Sequence, residues 1–212
     1  DNKAGIHYES WKDGKGIAIL LGYDPVAKKY GYGNVGMVHF DAHADTGDST
    51  YGDVLISHGS PMRRLIESGA IPGKNFVQIG LRGPWPYPKN LQWMKDQGMR
   101  WHLMAEIEKK GFDEVLEMAI SEALDGPDKL YISVDVDVMD PAFAPGTGTP
   151  EPGGITSLEL LRAIREIVLS KGMVAMDVVE VAPVYDQPGD ITAQAAHRCI
   201  YEAISALAKK KL

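Results

Sequence analysis

The sequence predicts an α/β fold, a three-layer α/β/α arrangement around a mostly parallel central sheet, and three observations predict it. Short apolar, β-branched runs alternate with longer amphipathic stretches, the pattern of βα units. Several of the short runs are apolar on both faces, as strands buried in a parallel sheet are. The 212 residues are 44% hydrophobic, and no long Pro/Gly/Ser-rich linker divides them. One core and one domain over residues 1–212 are therefore expected.

Taken in order, strands are expected over Gly16–Leu21, Val35–Phe40, Asn75–Leu81, Met99–Leu103, Lys129–Asp137 and Met173–Val181, with helices filling the gaps. Thr156, followed three residues on by Glu159, forms a capping box. It opens a helix with Leu158, Leu161, Ile164 and Val168 on one face. The last helix is expected from Thr192 to Lys211, with Ala196, Ile200, Ile204 and Leu207 inward and lysines at the negative end of its dipole.

Charge and cysteine content narrow the function classes. The formal charge is −7, from 29 acidic against 22 basic residues, and the basic ones are scattered apart from Lys209, Lys210 and Lys211. A nucleic-acid partner is not expected. The single cysteine, Cys199, sits in an apolar helical pattern, so a buried thiol and a reducing, cytoplasmic compartment are expected. No apolar run reaches the ~18 residues of a membrane span, and Asp1-Asn2-Lys3 begins neither a signal nor a transit peptide. Lacking an initiator Met, the chain reads as a fragment or a processed product.

Chemistry concentrates at two strand ends. In Val38-His39-Phe40-Asp41-Ala42-His43-Ala44-Asp45 an apolar strand runs into potential ligands at alternate positions. Extended backbone puts Asp41, His43 and Asp45 on one face, at the carboxyl end of a strand, where open α/β sheets bind ligands. Taken alone, the segment also fits a capped turn with a surface histidine. The run Tyr131-Ile132-Ser133-Val134-Asp135-Val136-Asp137 repeats the arrangement, and carboxylates at the end of a core strand must be paired or coordinate a metal. Four Asp and one His without a thiolate make a hard, oxygen-rich set that favours Mn²⁺ or a similar ion. So many carboxylates suggest two cations, about 3.5–4 Å apart.

The strings DAHAD, SVDVDVMDPAFAPGTGTPEPGG and VVEVAP resemble the ureohydrolase family, which includes arginases and agmatinases, over residues 35–212. The resemblance implies hydrolysis of a guanidino compound to urea and an amine by a metal-bridging hydroxide, with two Mn²⁺ per chain. Asp41 and Asp135 would bridge both metals, His43 and Asp137 would complete one site, and Asp45 would serve the other while orienting the hydroxide. Glu180 would hold the substrate guanidinium, and His58 would relay a proton to the leaving amine. Arg82 and the aromatic stretch Trp85-Pro86-Tyr87 are candidates for the entrance, and the Gly/Pro-rich loop Ala144–Gly154 for the mouth. His39, His102 and His197 are read as structural.

The loops Thr46–Gly52 and His58–Arg64 are similar to agmatinase-type members, making agmatine the first choice of substrate and 4-guanidinobutanoate the second. The family also implies a homo-oligomer, a trimer or hexamer. One difference stands out: family members begin with a further N-terminal region that supplies a metal-ligating His from a Gly-Gly-Asp-His segment. The matching place here reads Leu20-Leu21-Gly22-Tyr23-Asp24-Pro25, so one metal is expected to be short of a ligand. A non-catalytic structural or regulatory homologue is the alternative from another functional class.

Overall fold

The computed structural model describes residues 14–49 and 55–210. The Thr50–Gly52 end of the segment Thr46–Gly52, and Lys211, lie outside them. Strands β1 (Val35–Phe40), β2 (Phe76–Leu81), β3 (Arg100–Leu103), β4 (Lys129–Asp135) and β5 (Ala175–Val179) form one sheet in the order β3-β2-β1-β4-β5, every pair parallel. The sheet grows outward in opposite directions from β1 and β4. That reversal opens a crevice at their carboxyl ends, the usual ligand position in such folds.

Helices cover both faces. Helices α1 (Gly14–Tyr30), α2 (Pro61–Glu67) and α3 (Pro88–Asp96) pack on one side, with Tyr23, Met62, Leu65 and Met94 buried against Met37 and Phe76. Helices α4 (Met104–Lys110), α5 (Phe112–Ala123), α6 (Ser157–Ser170) and α7 (Ile191–Lys210) pack on the other, against Val38, Phe40, Ile79 and Ile132. Side chains alternate along a strand, so β1 gives Val35 and Met37 to the first layer and Val38 and Phe40 to the second. Gly36 shares the second face, where a Cβ would stand 2.0 Å from the Ala123 carbonyl oxygen of α5.

Three expectations need correction. Gly16–Leu21 is not a strand: it lies inside α1, which runs on to Tyr30. A short apolar run of Ile, Ala and Leu suits a helix as well as a strand, and Tyr23 and Ala27, four apart, bury the same face. Leu20–Pro25 is therefore no strand end. In α6 the capping box is present, but Leu158 is 72% exposed while Leu160, Ala163 and Ile167 are buried. In α7 the inward residues are Thr192, Ala196, Cys199, Ala203 and Ala206, whereas Ile200 and Ile204 face outward. Small side chains let α7 approach α6 closely, so size decides the buried face.

Cys199 is buried, and burial pushes its thiol up to about 12. The native chain should resist iodoacetamide at neutral pH, and the chain unfolded in guanidinium should take up one label by mass spectrometry. Among the described residues no helix is long and apolar enough to cross a membrane.

Candidate metal centre

The chain leaves β1 at Phe40 and carries Asp41, His43 and Asp45 over the edge of the sheet. It leaves β4 at Asp135 into a short 3-10 turn, Val136–Val138, that carries Asp137. Backbone amides orient the carboxylates: the His43 N–H donates to Asp41 Oδ1 at 2.6 Å, the Asp137 N–H to Asp135 Oδ1 at 2.8 Å, and the Ala42 N–H to Asp137 Oδ1 at 3.1 Å. The last of these ties the β1 turn to the β4 turn. The Thr149 hydroxyl, from the Ala144–Gly154 loop, donates to Asp137 Oδ2 at 3.3 Å.

Two clusters of potential ligands share Asp41. Asp41, His43 and Asp137 form one, and His39, Asp41 and Asp45 the other, each with its ligand atoms within 4.8 Å of one another. His43 Nδ1 lies 3.0 Å from Asp137 Oδ2 and 3.5 Å from Asp41 Oδ1. Asp135, expected to bridge both sites, joins neither cluster; its Oδ1 accepts the N–H of Asp137. His39, read from sequence as structural, stands in the second cluster.

The donor chemistry fits divalent cations. Asp41, Asp45, Asp135 and Asp137 are all buried, and so much negative charge gathered out of water is costly. Its strength shows on His43: burial alone would depress the imidazole, but hydrogen bonds and charge from Asp137 and Asp41 carry it up to about 11. The same carboxylates that favour positive charge on His43 would favour a cation in its place. Asp41, His43 and Asp137 would ligate one cation, and Asp41 and Asp45 another.

Asp45 and Glu180 both have left-handed backbones, with φ of 53° and 63°. Such strain clusters where a side chain must be aimed. Glu180 directly follows β5, and its Oε2 comes within 3.5 Å of where a Cβ on Gly148 would sit. His43 and Asp45 open on a cleft of about 480 Å³ whose walls include His58, Trp85, Tyr87, Lys89, Asn90 and Thr149. The Trp85 ring lies 5.7 Å from His43.

Arg82 is not among the lining residues. Its guanidinium donates instead to the carbonyls of Gly80, Asp137, Val138, Met139, Glu151 and Pro152. It therefore pins the loop at 151–152 to the Asp137 turn. Sequence reasoning also missed Lys89 and Asn90, which sit in the first turn of α3 with nothing in their local pattern to mark a cleft wall.

A profile of the arginase family matches residues 19–206. The chain is 43% identical over 175 residues to a guanidinopropionase of Pseudomonas aeruginosa, covering 82% of this chain and 54% of the relative. It is 41% identical over 184 residues to a mitochondrial agmatinase of Gallus gallus, covering 86% and 52%. Among solved structures, formimidoylglutamase from Bacillus subtilis superposes with a TM-score of 0.83 at 28% identity, over 91% of this chain and 58% of that one. The chain spans about half the length of the curated relatives it matches. Fold, motif order and these likenesses agree, and the chain belongs to the arginase family.

Proposed function

We propose that the chain hydrolyses a C–N bond of a linear guanidino compound, releasing urea and an amine, in the cleft beside Asp45. The observation that carries this reading is the pair of buried ligand clusters sharing Asp41, one of them opening on the cleft through His43 and the other through Asp45. Bound divalent cations, Mn²⁺ by the oxygen-rich donor set, would supply Lewis acidity and an acidified water. The protein's own groups do the rest. Asp45, at the boundary between centre and cleft, orients the attacking water. Glu180 pairs with the planar guanidinium. His58, on the cleft wall, delivers a proton to the leaving nitrogen.

The family resemblance suggests two substrates, agmatine with an ammonium tail and 4-guanidinobutanoate with a carboxylate tail. The cleft supports the second. Lys89 lines the wall and pairs with no carboxylate among the described residues. Asp48, which shares that wall, is engaged by Arg63 at 3.2 Å and Arg64 at 3.6 Å. The P. aeruginosa relative is by name a guanidinopropionase, which agrees with an acid tail. Lys89→Glu is expected to lower kcat/KM for 4-guanidinobutanoate about five- to tenfold, the scale of an exposed charge contact reversed, and to raise it for agmatine. Steady-state urea assays on both compounds measure the shift.

The deciding experiment reconstitutes the purified chain with Mn²⁺ and measures bound metal and urea release from each compound. Urea from either supports the reading. Metal bound without urea from either compound would sink it, and no bound metal would leave a non-catalytic subunit as the better description.

A further inference from the structure

We infer that Arg82 is a positioning residue of the metal centre: its guanidinium fork presents Asp137, through the Asp137 carbonyl and through the loop that carries Thr149. This role rests on the metal-centre reading above. The end of β2 sets its place. Gly80, with φ of 108°, brings that end against both ligand-bearing turns, since a Cβ there would stand 2.6 Å from Val138 Cγ2 and 3.1 Å from the Asp41 carbonyl oxygen. Two residues on, the backbone N–H of Arg82 donates to the Ala42 carbonyl at 3.0 Å, and the side chain reaches the Asp137 turn.

A guanidinium has five N–H groups, and here each finds a carbonyl. Nη2 donates to Glu151 O at 2.6 Å and Asp137 O at 2.7 Å, Nη1 to Gly80 O at 3.1 Å and Val138 O at 3.2 Å, and Nε to Pro152 O at 3.0 Å. The two shortest bonds leave a single nitrogen for two different segments, the ligand-bearing turn and the mouth loop. An arginine so occupied has no N–H to offer a substrate.

The Asp137 carboxylate takes donors from segments that Arg82 holds. Oδ1 accepts the N–H of Ala42, whose carbonyl accepts the backbone N–H of Arg82. Oδ2 accepts the Thr149 hydroxyl, and Thr149 stands two residues before Glu151. Pro150 and Pro152 lock φ on either side of Glu151, so an anchor at Glu151 carries to Thr149 along a short, stiff stretch. Further ties between loop and turn lie beyond the ligand, from the Ile155 N–H to Val138 O at 3.2 Å and from the Gly153 N–H to Asp140 Oδ2 at 2.8 Å. Lysine in place of Arg82 would keep the charge, which acts on Asp137 and Asp41. Its three donors spring from one atom, however, and cannot span the same segments.

Arg82→Lys in the whole chain therefore separates the fork from the charge. It is expected to weaken Mn²⁺ binding by about 10–100-fold, the usual cost of losing a group that orients a ligand, as read by calorimetric titration. Thr149→Val removes only the hydroxyl at the far end of the same route, and its loss should fall at the lower end of that range. The double variant should bind no worse than Arg82→Lys, because a released loop has already withdrawn the hydroxyl. Melting in EDTA shows whether each variant is folded. If Arg82→Lys melts lower in EDTA but binds Mn²⁺ as the unaltered chain does, Arg82 only braces the fold and the role is overturned. It is overturned too if the double variant shows the product of the two single losses, or if Thr149→Val binds unaltered. The last comparison decides even if Arg82→Lys does not fold. Failure of the unaltered chain to bind Mn²⁺ would overturn the metal centre and this role with it.

Discussion

Asp41→Asn is expected to reduce urea release to background, a loss of more than about 100-fold, beyond what the removal of a mere orienting partner costs. Both clusters contain Asp41, so one substitution removes a negative charge from each. The new amide also presents an N–H₂ where the His43 N–H and His39 now converge on carboxylate oxygens. Metal content by plasma mass spectrometry should fall together with activity. Fewer buried carboxylates repel one another in the variant, so melting in EDTA should hold or rise. A variant that keeps its full metal content would show that Asp41 is not the shared ligand.

Gly36→Ala is expected to be strongly destabilising. The added Cβ would lie 2.0 Å from the Ala123 carbonyl oxygen and 2.8 Å from its carbon. These are backbone atoms at the end of α5, which cannot rotate away as a side chain could. Strand β1 is no freer, being paired on both sides. The cost should reach about 3 kcal/mol or more, the upper part of the overpacking range, and lower Tm by roughly 6–12 °C. Calorimetry on the unaltered and variant chains measures it, and a shift under a degree would mean that α5 moves off the sheet without penalty.

What was legible in the sequence follows from range. Val35–Phe40 and Lys129–Asp135 could be read because a strand buried on both faces is apolar throughout, and the carboxylates at their ends stood out against that background. The capping box of α6 is likewise local. Gly16–Leu21 was misread because a six-residue apolar run has no period of its own, and only its continuation to Tyr30 makes it helical. The buried face of α7 was misjudged because Ile200 and Ile204 outweigh Ala203 and Ala206 in hydrophobicity, whereas the helix contact selects for small size. The hydrogen bond between Gln78 and His39 was invisible for a different reason. It depends on strand register, which joins residues 39 positions apart. Arg82 looked like an entrance residue until its carbonyl partners, contributed by three separate segments, were in view.

The left-handed backbones of Asp45 and Glu180 set folding against chemistry. Glycine at either position would relieve about 1–2 kcal/mol of steric cost while deleting a carboxylate to which the proposed function gives a role. A population of variants sorted by thermal resistance alone would thus drift toward glycine at both sites, gaining stability as it lost the two carboxylates. Sorting by cation retention would pull the other way at position 45, which stands in a ligand cluster. On the proposed function, these two dihedral angles give up ease of folding for the aim of a side chain.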